Sequence, residues 1–566
     1  MIDFKSEVTK LISEKVDGFT QSDIETIIEV PPNYELGDYA LPCFRFAKTL
    51  RKAPNIIAED IAKSLEGNKY FEKIENTGGY VNFFVNKALL LESVLKEVVD
   101  KKENFGSSTM GNGGKVVIDY SSPNIAKLFH VGHLRSTVIG NSIYKIYKFL
   151  GFNPIGVNHL GDWGTQFGKM ICAYNKWGNK ADIEKEPIKA LQSLYVKFHE
   201  EAEKDPTLED EGREWFKKLE NNDEEAKKIW KWFVELSLEE FSRIYKLLKV
   251  DFDYYTGESF YEDKMDRVVE MIKEKNILVE SKGAYVVDLE EYKMPPCLVI
   301  KSDGTTIYAT RDITAAIYRK ETFDFVKAIY LTDYAQNLHF AQFFKVLELM
   351  GYDWAKNLEH VPFGRVSTEE GKLQTRKGNV ILLDDLLSRS IEKVREVIEE
   401  KNPELENKDE VAKMVGIGAV IFNDLSNSRI KDIVFNWDKM LSFEGETGPY
   451  VQYTYVRAKS VLSRAQYDIT TDIDYSLLNN DESINVVRLL ETFPHAIVSA
   501  MEKNEPSFIS KHVIDLAQAF SRFYHECPII VEDESLQKAR LLLVYSVSVV
   551  LKTGLGLLGI ETPEKM

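Results

Sequence analysis

Two histidines, His130 and His133, flank a glycine in the run His130-Val131-Gly132-His133. Three residues apart on a helix, two imidazoles lie on one side. At a helix start they stand beside backbone N–H groups, which attract anions. Gly132 leaves room for a nucleotide to lie against the backbone. This set suits the oxygens of a polyphosphate. A metal-binding pair and an uninvolved surface pair are the alternatives, and the lack of a nearby Glu or third His weighs against a metal. The surrounding charge agrees with an anion. From Tyr120 to Gly161 there are the basic residues Lys127, Arg135, Lys145 and Lys148 and no carboxylate. The chain as a whole is acidic, with 72 Lys+Arg against 90 Asp+Glu and a net charge of −18.

The elements that must hold this pair are legible nearby. KVVIDY at 115–120 reads as a short buried strand, followed by the loop SSPN and a long helical pattern from near His130. Strand, loop and helix in that order open a βα nucleotide-binding fold. Upstream, Phe4, Val8, Leu11 and Ile12 have the spacing of one helix face. NTGGYVNFFVN reads as a Gly-Gly turn before a β-prone aromatic run, so residues 1–105 form a small α+β domain. GSSTMGNGGK at 106–115 is the first expected linker. Residues 181–240 carry 18 Asp+Glu against 10 Lys+Arg and no strand pattern, which predicts helices with solvated faces. AYVVDL and PCLVI predict strands, as does KAIYLTD; AQFFKVLELMG predicts a helix ending in glycine. From residue 411 onward the pattern is nearly all helical.

Composition sets the outer limits. With 566 residues, 44% hydrophobic and 29% charged, the chain is an ordinary multidomain globular protein. Its acidity excludes a wholly basic nucleic-acid-binding surface, but not a local basic patch. The four cysteines are far apart, which argues against zinc ligands and disulfides and fits a reducing cytoplasm. The N-terminus lacks the pattern of a signal peptide. LLLVYSVSVVL at 541–551 is too short to span a bilayer, so no membrane role is expected.

Longer stretches carry a specific resemblance. Asp119-Tyr120-Ser121-Ser122-Pro123-Asn124-Ile125-Ala126-Lys127 followed by His130-Val131-Gly132-His133 resembles the HIGH region of the class I aminoacyl-tRNA synthetases, and of the arginyl-tRNA synthetases in particular. HLGDWGTQFG at 159–168, GTTIYATRDITAA at 304–316 and KLQTRKGNVILLDDLL at 372–387 agree, the last standing where that family has its KMSKS loop. FEGETGPYVQYTYVRAKSVL and LLGIETPEKM resemble the family's helical anticodon-binding domain.

The resemblance implies a multidomain α/β fold: a Rossmann-like parallel-sheet catalytic domain, a small α+β N-terminal domain and an all-α C-terminal bundle. The expected bounds are 1–105 for an additional tRNA-binding domain and 112–390 for the catalytic domain, with insertions at about 175–300. Residues 391–566 form the expected anticodon-binding domain. The implied activity is that of a ligase. It activates L-arginine with ATP to arginyl-adenylate, then transfers arginine to the 2′-hydroxyl of the terminal adenosine of its tRNA. His130, His133, Lys127 and Lys372 are implied as catalytic. Thr375 stands where the second lysine of KMSKS would be, and the resemblance gives its part to Lys127; Arg376 and Lys377 could also reach the pyrophosphate. Gly132, His159, Gly161 and Asp162 are implied on the ATP side, with Trp163 either ligand wall or core.

Arginine recognition needs acceptors, because a guanidinium is a planar fork of donors. The resemblance points to Tyr308, Asp312 and Gln336 for the side chain, and to Asp119 and Asn124 for the α-amino and carboxylate end. Tyr308 and Asp312 are four apart and share a face if helical. For tRNA it points to Tyr80 and Asn82, and to Tyr450, Gln452, Tyr453 and Arg457, with Tyr455 in the same cluster. Aromatic and amide groups suit unpaired bases. ATP with Mg2+ is the expected substrate complex, with no structural metal bound by the protein. tRNA, L-arginine and ATP are the expected partners, with no obligate protein partner and a monomeric state. A cysteinyl-type ligase would need zinc-ligand cysteines. A nucleotidyltransferase needs no tRNA domains. A catalytically dead paralogue would have no reason to keep His130, His133, Asp312 and Lys127.

Overall fold

The structure is a computed structural model that describes residues 1–302, 307–368, 371–372 and 382–566. The chain forms two compact units. One comprises Met1–Phe105, Thr454–Pro494 and His512–Thr553; the other comprises Gly106–Tyr453, His495–Lys511 and Gly554–Met566. Residues 391–566 therefore contribute to both.

In the first unit, strands β1 (Tyr39–Pro42), β2 (Phe71–Thr77) and β3 (Tyr80–Val85) form an antiparallel sheet in the order β1-β3-β2. Gly78, at φ +58, makes the tight β2–β3 turn that the Gly-Gly pair predicts. The helix Phe4–Ser13 buries Phe4, Val8 and Ile12, and Phe4 meets the ring of Phe71 at 6.4 Å. Among the described residues, Glu534–Leu557 is the one helix long and apolar enough to cross a membrane. It is longer than the apolar run seen in the sequence, yet 67% of its most apolar window is buried inside the protein, as in a core helix.

The second unit holds the parallel sheet. Strands β4 (Lys115–Asp119), β5 (Asn153–Asn158) and β6 (Tyr254–Tyr255) run outward on one side. After the small antiparallel sheet of β7 (Leu278–Ser281), β8 (Ala284–Val287) and β9 (Cys297–Ile300), the chain returns as β10 (Lys327–Asp333) and β11 (Leu358–Phe363). The order is β11-β10-β4-β5-β6. The strand order reverses between β4 and β10, and such a switch point opens a crevice at the carboxyl ends of the strands. Asp119 ends β4 and His159 directly follows β5, so both stand at this crevice. A third small sheet joins β12 (Val366–Thr368), β13 (Gly371–Lys372) and β14 (Ile433–Phe435) in the order β13-β12-β14.

Two segments depart from their sequence reading. The expected linker 106–115 is stapled down: Gly111 and Gly113 donate to the carbonyls of Leu150 and Gly151 at 3.0 and 2.8 Å. A side chain at Gly111 would press to 2.4 Å of the Phe152 nitrogen, so its glycine serves close packing. The last residues, Gly554–Met566, belong to the second unit. Ser142 donates to Leu557 O at 3.0 Å, Asn402 donates to Met566 O at 3.3 Å, and Met566 packs on Val394 and Ile398.

Candidate active site

The loop from β4 to the His130 helix is strained and held from several sides. Ser121, Ser122 and Ala126 all adopt positive φ, at 69°, 47° and 60°. Such backbone persists only where the surroundings over-determine it. Ser121 N–H donates to Ser136 Oγ at 2.9 Å, and Ser121 Oγ bonds Tyr245 Oη at 2.7 Å. Ser122 N–H donates to Asn158 Oδ1 at 3.2 Å, and Ala126 N–H donates to Ser237 Oγ at 3.0 Å.

This loop delivers His130 as the cap of the helix Val131–Phe149. His130 Nδ1 accepts from Gly132 N–H at 3.0 Å, and His133 Nδ1 accepts from His130 N–H at 3.1 Å. The two rings lie 3.9 Å apart. A ring nitrogen that accepts carries no proton, so each ring presents Nε2–H as a donor. Burial, with the Lys127 charge added, lowers the pKa of His130 to about 4. Burial and the charges of His130 and Lys127 push His133 well below its ordinary value. Both imidazoles are therefore neutral donors at neutral pH. The sequence reading is corrected on two points. These helix-start N–H groups are engaged by the imidazoles themselves. Gly132 is glycine because a Cβ there would come to 2.8 Å of the His130 ring.

The local positive charge is smaller than its residue count suggests. Arg135 is fully buried, with its Nε 3.4 Å from Asp424 Oδ1 and its Nη1 donating to Lys431 O at 2.7 Å. Lys127 remains in the electrostatic neighbourhood of both imidazoles. The far end of the KMSKS-like segment reaches the same place: Leu382 bridges His130, and Leu383 N–H donates to Phe129 O at 2.9 Å. Lys372 lies in β13, paired through its backbone with Ser367. Thr375, Arg376 and Lys377 lie outside the described residues.

The arginine-side residues gather on one helix and the strand ends. Tyr308 and Asp312 share the helix Tyr308–Phe323, as their spacing predicts. Tyr308 is 67% exposed. Asp312 Oδ2 is bonded to His339 Nε2 at 2.5 Å, which places the turn containing the exposed Gln336 close by. Arg311 turns to Glu262 at 2.7 Å, away from Asp312. Asp119 Oδ2 accepts from Arg319 Nη2 at 2.8 Å, and Asp119 Oδ1 accepts from Ser122 Oγ at 2.8 Å. His339 and Arg319 are the partners missed in the sequence. Arg319 lies 200 positions from Asp119, but its spacing of seven from Asp312 on a helix was a usable signal.

The ATP-side set divides. Burial lowers the pKa of His159 more than Asp119 raises it, and its Nδ1 lies 3.4 Å from Arg319 Nη2. A Cβ at Gly161 would fall 2.1 Å from Asn124 Oδ1, so this glycine lets Asn124 approach. Asp162 is a clamp: its oxygens accept from Ser259 N–H at 2.8 Å and Ser259 Oγ at 2.6 Å, which leaves a ribose little to bind. Trp163 packs against Phe216 and Trp230, with ring centroids 5.7 and 5.6 Å away.

The tRNA-side residues also divide. Tyr80 is 37% exposed at the start of β3. Asn82 is buried there, with Nδ2 3.5 Å from Thr77 Oγ1, so it faces the fold and not an RNA base. Gln452 is fully buried. Its Nε2 donates to Glu561 O at 2.7 Å and Met414 O at 3.3 Å, tying down the C-terminal segment. Tyr455 is buried as well, whereas Tyr453 is exposed. Tyr450 and Arg457 are part-exposed on the same helix, and the Arg457 guanidinium lies 5.3 Å from the Tyr524 ring centre.

Three family models match this chain. Residues 94–437 match the class I tRNA synthetase (R) catalytic domain, residues 451–566 the DALR anticodon-binding domain, and residues 3–85 the arginyl-tRNA synthetase N-terminal domain. A protein of Alkaliphilus metalliredigens (strain QYMF) named arginine–tRNA ligase is 59% identical over 566 residues, covering 100% of both chains. Solved arginyl-tRNA synthetases superpose along the chain. That of Plasmodium falciparum has a TM-score of 0.82 at 28% identity, with 100% of both chains covered. That of Thermus thermophilus has a TM-score of 0.83 at 25% identity, covering 100% of this chain and 99% of the other. With matches along its whole length and a parallel sheet that gathers His130, His133, Asp119 and Asp312, the chain belongs to the arginyl-tRNA synthetases of class I.

Proposed function

We propose that the chain joins L-arginine to its tRNA in two steps at the carboxyl ends of β4, β5 and β10. A carboxylate oxygen of arginine attacks the α-phosphorus of ATP, and the bond to pyrophosphate breaks. The 2′-hydroxyl of the terminal adenosine then attacks the carbonyl carbon of arginyl-adenylate, and AMP leaves. Such phosphoryl transfer requires mainly positioning and charge stabilisation.

The observation that carries this reading is the locked imidazole pair. His130 and His133 offer neutral Nε2–H donors at a fixed spacing. Donors already aimed where charge develops stabilise a transition state without reorganising. Lys127 adds positive charge beside them. Lys372 and, through Arg376 and Lys377, the KMSKS-like loop act on the leaving pyrophosphate, and ATP enters as its Mg2+ complex. Asp312, aided by Tyr308 and Gln336, takes the guanidinium; Asp119 and Asn124 take the α-amino end. His159 lies on the adenosine side.

Residues 1–105 and 391–566 serve tRNA recognition, and 112–390 the chemistry. Tyr80, Tyr450, Tyr453 and Arg457 meet unpaired bases. The enzyme works in the cytoplasm as a monomer; the four cysteines, all free and buried, support a reducing compartment. ATP–pyrophosphate exchange with each amino acid, with and without tRNA, is the test. Exchange with arginine alone among the amino acids is expected, and only with tRNA present, because the loop lacks its second lysine. Exchange driven by another amino acid refutes the assignment.

A further inference from the structure

We propose that Arg319 is a resident guanidinium that occupies Asp119 and so reserves Asp312 for the guanidinium of the substrate. The inference rests on the assignment of Asp119 and Asp312 to the arginine site. Arginine brings two cationic groups and one carboxylate, and the residues assigned to it include two carboxylates, Asp119 and Asp312. Both act on the same neighbours: the charges of Asp119 and Asp312 reach His159 and Tyr330. Left equal, either could take the guanidinium, and arginine could enter in two orientations.

The fold breaks that equality. Arg319 is 1% exposed. Its Nη2 donates to Asp119 Oδ2 at 2.8 Å and lies 3.4 Å from His159 Nδ1. The guanidinium sits 5.4 Å from the centre of the Tyr330 ring. Its Nε is buried without a hydrogen-bond partner. A buried ion pair gains little over apolar residues in place of both partners, while an apolar side chain at 319 alone would leave Asp119 buried without its countercharge. A role in packing alone therefore does not explain an arginine here. An arginine stays charged throughout the working pH range, so Asp119 is always compensated. Asp312 lies two helical turns away on the same helix, is part-exposed, and has one oxygen bonded to an imidazole. It is the carboxylate left for an incoming fork.

The test uses Arg319→Met, Arg319→Gln and Arg319→Lys in the full-length enzyme. The probe is n-propylguanidine, a single guanidinium without amine or carboxylate, as an inhibitor of tRNA charging competing with arginine. Circular dichroism and thermal unfolding check folding. In Arg319→Met and Arg319→Gln a second carboxylate opens, and inhibition should tighten about tenfold. For arginine itself kcat and KM should fall together, as when substrate also binds the wrong way round. Arg319→Lys keeps the charge and should stay within about threefold of the parent inhibition constant. Adding Asp119→Asn to Arg319→Met should abolish the gain.

Unchanged or weaker inhibition in a folded Met or Gln variant overturns the proposal. Should neither fold, the Lys variant decides: parent-like inhibition supports the proposal and about tenfold tighter inhibition refutes it. Asp312→Asn tests the underlying assignment separately. If it leaves the arginine KM unchanged, the arginine site lies elsewhere, whatever Arg319 does.

Discussion

The phosphate end and the arginine end of this site handle charge in opposite ways. At the phosphate end burial removes it: His130 and His133 are kept neutral, and their backbone bonds fix which nitrogen donates. At the arginine end the carboxylates are held differently: Asp119 is paired with the Arg319 guanidinium, and Asp312, bonded to the His339 imidazole, is left for the incoming cation. The difference follows from the ligands. A phosphate group brings its own anionic charge and needs donors that do not have to be reorganised. A guanidinium brings a cation and needs an acceptor whose charge has survived burial.

The comparison is broken most severely by removing the charge that was kept. Asp312→Asn should weaken arginine binding by about 2–5 kcal/mol and leave ATP binding nearly unchanged, since it leaves the guanidinium without its countercharge. Michaelis constants for both substrates, measured in exchange with tRNA present, check this; equal shifts would place Asp312 elsewhere. At the phosphate end, His130→Asn separates the two jobs of the histidine. Asparagine caps helices well, so melting temperature should hold. The Nε2–H donor is lost, so adenylate formation should slow by ~10²–10³. Loss of stability with the rate intact would make His130 a cap and nothing more.

How much of this was legible in the sequence depended on distance along the chain. The strand in KVVIDY, the loop–helix junction at His130 and the shared helix face of Tyr308 and Asp312 all follow from local pattern. The partners did not. Arg319 meets Asp119 across 200 positions, and no periodicity joins them. Gln452 looked like a base reader because it sits among tyrosines. It is buried because the chain returns after 109 residues to present the Glu561 carbonyl to it. The resemblance put Asp162 on the ATP side, and Ser259, 97 residues away, bonds both its oxygens. Residue types were readable; which polar groups were already engaged was not.

Two smaller effects sharpen the contrast. Lys127→Ala should slow single-turnover adenylate formation on the order of 10²-fold, because it withdraws a charge beside neutral donors. If Lys127 instead held tRNA phosphate, the chemical step would hold. The slope of log tRNA affinity against log salt would then drop by about one unit. Asp162→Asn should act on the fold, not on ATP. Disrupting its bonds to Ser259 should cost about 1–3 kcal/mol of unfolding free energy, with the ATP Michaelis constant within about twofold of the parent. A large ATP effect at unchanged stability would return Asp162 to the nucleotide.

The smallest effect is one of pH. Folding lowers the pKa of His130 to about 4, chiefly by burial and secondarily through Lys127. A histidine in an unfolded chain titrates near ~6.5. Folding therefore favours the neutral ring, and the unfolded chain binds the extra proton more readily. The stability contribution is fully present above about pH 6.5 and is lost as pH falls toward the folded value. His133 is shifted in the same direction and adds to the same window. Two outcomes follow. Adenylate formation should show no break attributable to this pair between about pH 6 and 8, because the donors are neutral throughout. Thermal stability should fall on acidification from about pH 6.5, and the fall should be shallower in His130→Asn, which has nothing to protonate there. Melting temperatures of the parent and the variant in matched buffers across that window decide the matter. Parallel curves would mean that His130 titrates as an ordinary exposed histidine, and the contrast between neutral imidazole donors at the phosphate end and paired charges at the arginine end would fail.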